Sequence, residues 1–164
     1  GDENIQRERE NEVIMDLLGI LHRDSIAIGV VMPFRKQIQR LRNSLEREYA
    51  RKDLPIPDSI RIDTVERFQG GQRDVVIIAA GICDASTIEI LQSIMPADPQ
   101  IDEPEVDCKL NVALTRAREQ VIVVGNPAAL CCSPHYGALY DSIGEKLEYE
   151  FSGGSGRYAE PTGW

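Results

Sequence analysis

Val75-Val-Ile-Ile-Ala-Ala80 is an unbroken apolar run. A strand with no polar alternation has to be covered on both faces. That requirement is poorly met by a sheet with one wet face and well met by a parallel sheet carrying helices above and below. The rest of the chain supplies those helices. Val13, Ile14, Leu17, Leu18 and Leu21 recur at helical spacing, in a helix expected to stop near 19–22. Phe34, Ile38, Leu41, Leu45 and Tyr49 mark a second helix, with Pro33 suited to its first turn. Ile26 to Met32 reads as the strand between them. Ile60 and Ile62 alternate with polar residues as a strand entering a loop, after the proline-broken link Leu54-Pro-Ile-Pro-Asp58.

Further on, Leu110, Ala113, Leu114 and Ala117 share one helical stripe, followed by a buried strand from Gln120 to Val124 that ends in Gly-Asn. Ser86-Thr-Ile-Glu89 fits a capping box for a short helix through Ile94, and Met95 to Val106 reads as an exposed acidic loop. A last helix is expected from Ala138 or earlier to about Tyr149. The alternation predicts an α/β, three-layer domain over 1–150, with a mostly parallel sheet and helices on both faces. Residues 151–164, glycine-rich and aperiodic, read as a flexible tail or linker. The glycine ahead of Asp2 suggests a piece of a longer protein.

Two segments carry the chemistry. In the first, Arg116 stands off the packed stripe of its helix, while Asn111, Thr115 and Arg118 share a third face. A guanidinium held there is planar, permanently charged and rich in donors, and suits a phosphate; the plain reading is a solvated surface arginine. In the second, Gly70 and Gly71 sit between two strands with Thr64, Gln69, Gln72 and Arg73 around them. Glycines there admit close backbone approach, although a glycine hairpin turn gives the same pattern.

Composition bounds these readings. The 164 residues suit one domain with a proper core. A net charge of −9 argues against a general nucleic-acid coat, so any positive site must be local. Arg35, Lys36, Arg40, Arg42, Arg47, Arg51 and Lys52 do cluster on or beside one helix. Cys83, Cys108, Cys131 and Cys132 lack paired-ligand spacing, so no metal site is expected and reduced, intracellular cysteines are the simplest account. No apolar run reaches membrane length and no leader is recognisable.

Thr64-Val-Glu-Arg-Phe-Gln-Gly-Gly-Gln-Arg-Asp74 resembles motif V of superfamily 1 helicases, and Leu110-Asn-Val-Ala-Leu-Thr-Arg-Ala-Arg118 resembles their motif VI, in the 5′-to-3′ branch of RNA and DNA helicases. Ile28-Gly-Val-Val-Met-Pro-Phe-Arg-Lys-Gln37 is similar to motif IV. The resemblance covers about residues 26 to 131 and implies the second RecA-like (P-loop NTPase) domain of an ATP-dependent helicase. It implies Arg116 as the arginine finger, and Gln69, Gly70, Gln72 and Arg118 near the nucleotide. Thr64, Pro33, Phe34 and Asn111 would contact single-stranded DNA or RNA. ATP with Mg²⁺ would be held mainly by a first RecA-like domain of the same polypeptide, in a cytoplasmic, nucleoid or nuclear setting, with no membrane partner.

The sequence also departs from the pattern. Gln72 stands where the branch has glutamate, losing the charge that could engage an arginine. Met32 replaces a threonine, Phe34 a tyrosine and Lys109 an arginine. No phosphate-binding loop or paired-carboxylate strand is recognisable, so the fragment alone is expected not to hydrolyse ATP. On this reading Arg116 projects into an interdomain gap, on the rim where Thr64 and Gln69 emerge. The alternatives are a non-hydrolysing nucleic-acid binding module or an acidic interaction domain on the same fold.

Overall fold

The computed structural model describes residues 2–22, 26–64, 67, 72–81, 116–132, 134–142, 144–152 and 155–159. Helix α1 spans Asp2–Leu21, strand β1 Ile28–Val31 and helix α2 Arg35–Arg51. Strands β2 (Ile60–Asp63), β3 (Arg73–Ala79) and β4 (Ala117–Val124) follow. Then come helices α3 (Pro127–Leu130) and α4 (Pro134–Ser142), and strands β5 (Glu148–Ser152) and β6 (Ser155–Ala159).

The main sheet has the order β2-β1-β3-β4, and every pairing in it is parallel. The chain leaves β1 toward one side and returns past it to β3, which makes the β1–β3 boundary the topological switch point. Ile28 and Val30, Ile60 and Ile62, Val75, Ile77 and Ala79, and Val124 share one face. They pack against Val13, Ile14 and Leu18 of α1 and Ile38, Leu41 and Leu45 of α2. On the opposite parity Val31, Val76 and Ile78 are just as buried. The central strands β1 and β3 are therefore covered on both faces, as the apolar run of β3 requires, whereas β4, expected to be a buried strand, is fully buried only at Val124.

Local chemistry sets the element ends. Helix α2 closes with Asp53 in the left-handed region (φ 55°). Asp53 N donates to Ala50 O and Leu54 N to Tyr49 O, which ties off two of the last carbonyls. Asn126 caps α3: its side chain accepts from Ala128 N at 3.1 Å, with Pro127 at the first helical position.

Several expectations change. Ala117 belongs to β4, where it pairs with Arg73, and not to a helical stripe. Arg116 lies in the turn just before β4, and Arg118 is a strand residue. Pairing with β3 here outweighs the weak local helix preference; residues 110–115 lie outside the described residues. Pro33 precedes α2 rather than opening it, and Phe34 occupies the N-cap position. Tyr149 is in β5, and β5 continues into the stretch read as an aperiodic tail, where it pairs antiparallel with β6. The capping box at 86–89 and the loop at 95–106 also fall outside the described residues. Among the described residues, no helix is long and apolar enough to cross a membrane.

Leu41, fully buried where α2 meets the sheet, gives a direct check on this packing. Leu41→Ala should lower unfolding free energy by about 2–5 kcal/mol in urea titrations. A loss well below about 1 kcal/mol would mean that α2 does not clamp this face as described.

Candidate functional site

Because all four strands run the same way, the sheet has two chemically different ends. At the amino end of β3 and β4, Gln72 and Arg73 stand beside Arg116 and Arg118. Arg73 N donates to Arg116 O at 2.8 Å, which fixes the spacing of the two segments. The Arg118 Nε donates to Gln72 Oε1 at 3.4 Å, and its Nη1 lies 3.5 Å from Asp74 Oδ1. Gln72 thus still engages an arginine through its amide oxygen, while Asp74 supplies the nearby negative charge. Asp74 is itself anchored, since its Oδ2 accepts from Ala27 N at 2.8 Å.

Cations crowd this end. Burial, with the charges of Arg61 and Arg118, pulls the Arg73 guanidinium below its ordinary pKa. Arg116 is half-buried, and its Nε is enclosed with no hydrogen-bond partner among the described residues. An enclosed donor on a charged group costs free energy unless something completes it. A set made of guanidiniums and an amide suits an anion such as a phosphate. Gln69, Gly70 and Asn111, named from the sequence, lie outside the described residues.

The carboxyl end gathers Pro33, Phe34 and Thr64. Thr64 follows β2 directly, and its N–H donates to Asp63 Oδ1 at 2.9 Å. Arg42 of α2 reaches this end: its Nη2 donates to Ile62 O at 2.6 Å and lies 3.9 Å from Asp63 Oδ2. Arg116 does not share this rim. Thr64 sits level with the end of β3, and Arg116 level with its start. At about 3.3 Å per residue the two are separated by roughly 20 Å along the strands. The expectation of a common rim is therefore wrong, because motif V enters at one end of the sheet and leaves at the other.

One cluster escaped the sequence reading. At the switch point, Gly81 follows β3 with φ +72°, and a Cβ there would meet the Phe34 ring at 2.6 Å and Gln37 Oε1 at 2.9 Å. Helix α1 closes over it. Glu10, 2% exposed, accepts from Gly81 N with Oε1 at 2.8 Å and Oε2 at 3.1 Å. Gln6 Nε2 donates to the same carboxylate at 3.0 Å. Arg7 Nε donates to Gly81 O at 2.9 Å, and its guanidinium lies 3.8 Å from the Phe34 ring centroid. The signal was present: Glu10 and Arg7 continue the stripe of Ile14 backward by four and then three residues, polar groups on a face destined for burial.

Comparison with known proteins gives the family. The profile of the AAA domain matches residues 1–128. The putative helicase MOV-10 of Gallus gallus is 33% identical over 110 residues, 66% of this chain and 11% of that protein. The probable RNA helicase armi of Drosophila melanogaster is 34% identical over 105 residues, 63% of this chain and 8% of that protein. The helicase sen1 of Schizosaccharomyces pombe is 30% identical over 125 residues, 73% of this chain and 6% of that protein. Among solved structures, the C-terminal domain of a possible DNA helicase from Lactobacillus plantarum WCFS1 is similar at TM-score 0.44 and 15% identity, over 79% of this chain and 76% of that one. The chain belongs to the AAA domain family and to the helicase family of these relatives. It spans about a tenth or less of the length of the relatives it matches.

Burial pushes the Glu10 carboxyl up from 4.5 to about 7, against the opposing bonds from Gln6, Gly81 N and Gln37 and the charge of Arg7. Among the described residues, Arg7 is the charged group facing it from α1, and α2 presents the neutral Gln37. The folded state holds this proton more tightly than the unfolded chain. Its contribution to stability is therefore full below about pH 4.5 and is lost as pH rises through about 7, a swing on the order of 3 kcal/mol. The melting temperature of the Glu10→Gln variant should show less decline than the parent across that window. Parallel pH profiles for the two would contradict the raised value.

Proposed function

We propose that this chain is the second motor domain of an ATP-dependent helicase acting on single-stranded nucleic acid. Its amino end serves the nucleotide and its carboxyl end serves the strand. The observation that carries the reading is Arg116: a half-buried cation whose enclosed Nε finds no partner within the described residues. A first RecA-like domain facing this end would bring the phosphates that complete it.

ATP with Mg²⁺ supplies a phosphoanhydride whose cleavage releases free energy, and the donor set at the amino end fits its anionic tail. Arg116 acts as the arginine finger, placing positive charge where negative charge grows on the transferring phosphoryl oxygens. Gln72 and Asp74 hold Arg118 alongside, so that the second guanidinium braces the edge. Gln69 and Gly70 are assigned to the nucleotide by their place in motif V. Pro33, Phe34 and Thr64, with Asn111 by its place in motif VI, are the strand contacts. Backbone contacts of that kind position the polymer without reading its sequence. The name of the armi relative, a probable RNA helicase, favours RNA over DNA. Such work implies an intracellular setting.

The phosphate-binding loop and magnesium carboxylates are assigned to the first domain, so this chain alone should show no strand-stimulated ATP hydrolysis. In the protein that carries it, Arg116→Ala should lower kcat by roughly 10³- to 10⁵-fold while largely sparing nucleotide affinity. Steady-state hydrolysis with saturating single strand, beside titration of a fluorescent ATP analogue, separates the two. An equal loss of binding and turnover would make Arg116 a binding or folding residue.

A further inference from the structure

In parallel sheets of this order, ligands enter the crevice outside the carboxyl ends of the strands at the switch point. Here the crevice between β1 and β3 is filled by the chain's own α1. The buried polar side chains among the described residues are Glu10, Asn11 and Gln37, and all three meet there. Glu10 takes the Gly81 N–H, Asn11 Nδ2 donates to Gln37 O at 3.3 Å, and Gln37 Nε2 donates to Arg7 O at 3.4 Å. Phe34 lies against this knot from the outside, between Arg7 and Gly81.

We propose that Glu10 is a positioning residue for strand binding: by holding Gly81 and the Arg7 turn of α1, it sets the Phe34 ring on the carboxyl rim. This rests on the reading above that Phe34 contacts the strand. Gly81 can approach the ring so closely only without a Cβ and only at positive φ. Glu10 holds the peptide before Gly81 through the Gly81 N–H, and Arg7, one turn earlier on α1, holds the peptide after it through the Gly81 carbonyl. The ring then has Arg7 on one side and the Gly81 backbone on another, which narrows its rotamers. Loss of the carboxyl leaves the Gly81 N–H buried without an acceptor, and the peptide must turn to find one. Phe34 would lose its backing when it does.

The test uses the protein that carries this chain and a fluorescein-labelled 20-mer single strand, read by anisotropy at fixed salt and pH 7. Phe34→Ala should weaken strand affinity several-fold. Glu10→Ala should weaken it by a similar factor, and the double variant should be no worse than Phe34→Ala alone. Glu10→Gln should stay within about twofold of the parent, because its amide oxygen still accepts from Gly81 N. Losses from Glu10→Ala and Phe34→Ala that simply multiply would overturn the proposal, since Glu10 would then act elsewhere. So would a Glu10→Gln variant as weak as Glu10→Ala, or a Glu10→Ala variant that binds normally beside a weakened Phe34→Ala. If Phe34→Ala binds as the parent does, the assignment of Phe34 to the strand fails first, and the proposal falls with it.

Discussion

All four strands of the main sheet point the same way, and that common direction governs what the molecule can do. An antiparallel sheet would mix loop types at both ends. Here each end collects one kind of connection, so the groups at the two ends differ in chemistry. Gln72, Arg73, Arg116 and Arg118 fall at the amino end; Pro33, Phe34, Thr64 and Gly81 fall at the carboxyl end. Strand β3 carries members of both sets, Arg73 at its start and Gly81 just past its finish. Between them Val76, Ile77 and Ile78 are buried on both faces. A strand held so completely deforms little, which suits a strut between the proposed nucleotide edge and the proposed strand-binding edge about 20 Å away.

The charge distribution follows from this geometry rather than from the total. A chain of net charge −9 presents a locally cationic edge because the charge of Arg61, from β2, reaches Arg73 of β3 across the intervening β1, while Arg116 and Arg118 stand beside Arg73 at the start of β4. Asp74 keeps part of that charge in place without neutralising all of it. The basic residues of α2 are used differently. Arg51 and Lys52 pair with the half-buried Glu48, and Arg40 with the exposed Glu8 of α1. Such pairs contribute little to stability. Arg42 is the exception by position, since it ties α2 to the end of β2 beside Thr64.

The parts of this arrangement that follow from residue period were legible in the sequence. The two-faced burial of β3, the apolar stripes of α1 and α2 and the strand entering Thr64 need only local pattern. What depends on pairing across the chain was not. Ala117 keeps helical spacing with Leu110 and Leu114, yet it lies opposite Arg73 in the sheet, and nothing within its own segment records that partner. The separation of Arg116 from Thr64 was hidden for the same reason: motif V spans both ends of the sheet, so nearness in sequence misled. β5 was missed because its pairing with β6 lies in a glycine-rich stretch that lacks clear alternation. Glu10 was legible in principle, as an acid on an apolar stripe, but only its burial against Gly81 gives it meaning.

That acid is costly where it sits. Burial raises its pKa, and two neighbouring acceptors, Asn11 Oδ1 and Gln37 Oε1, lack partners among the described residues. A half-satisfied polar knot in a core is worse for stability than apolar packing of the same volume. The rest of the core shows no shortage of Ile, Leu and Val to fill such a place. Departures of this kind from the best packing are expected where a fold has to hold something in position. The knot lies at the one crevice that a parallel sheet of this order offers to ligands, under an aromatic ring on the rim. A hydrogen-bonded carboxyl gives direction that an apolar side chain lacks: it fixes which way the Gly81 peptide faces, and therefore where Phe34 can stand.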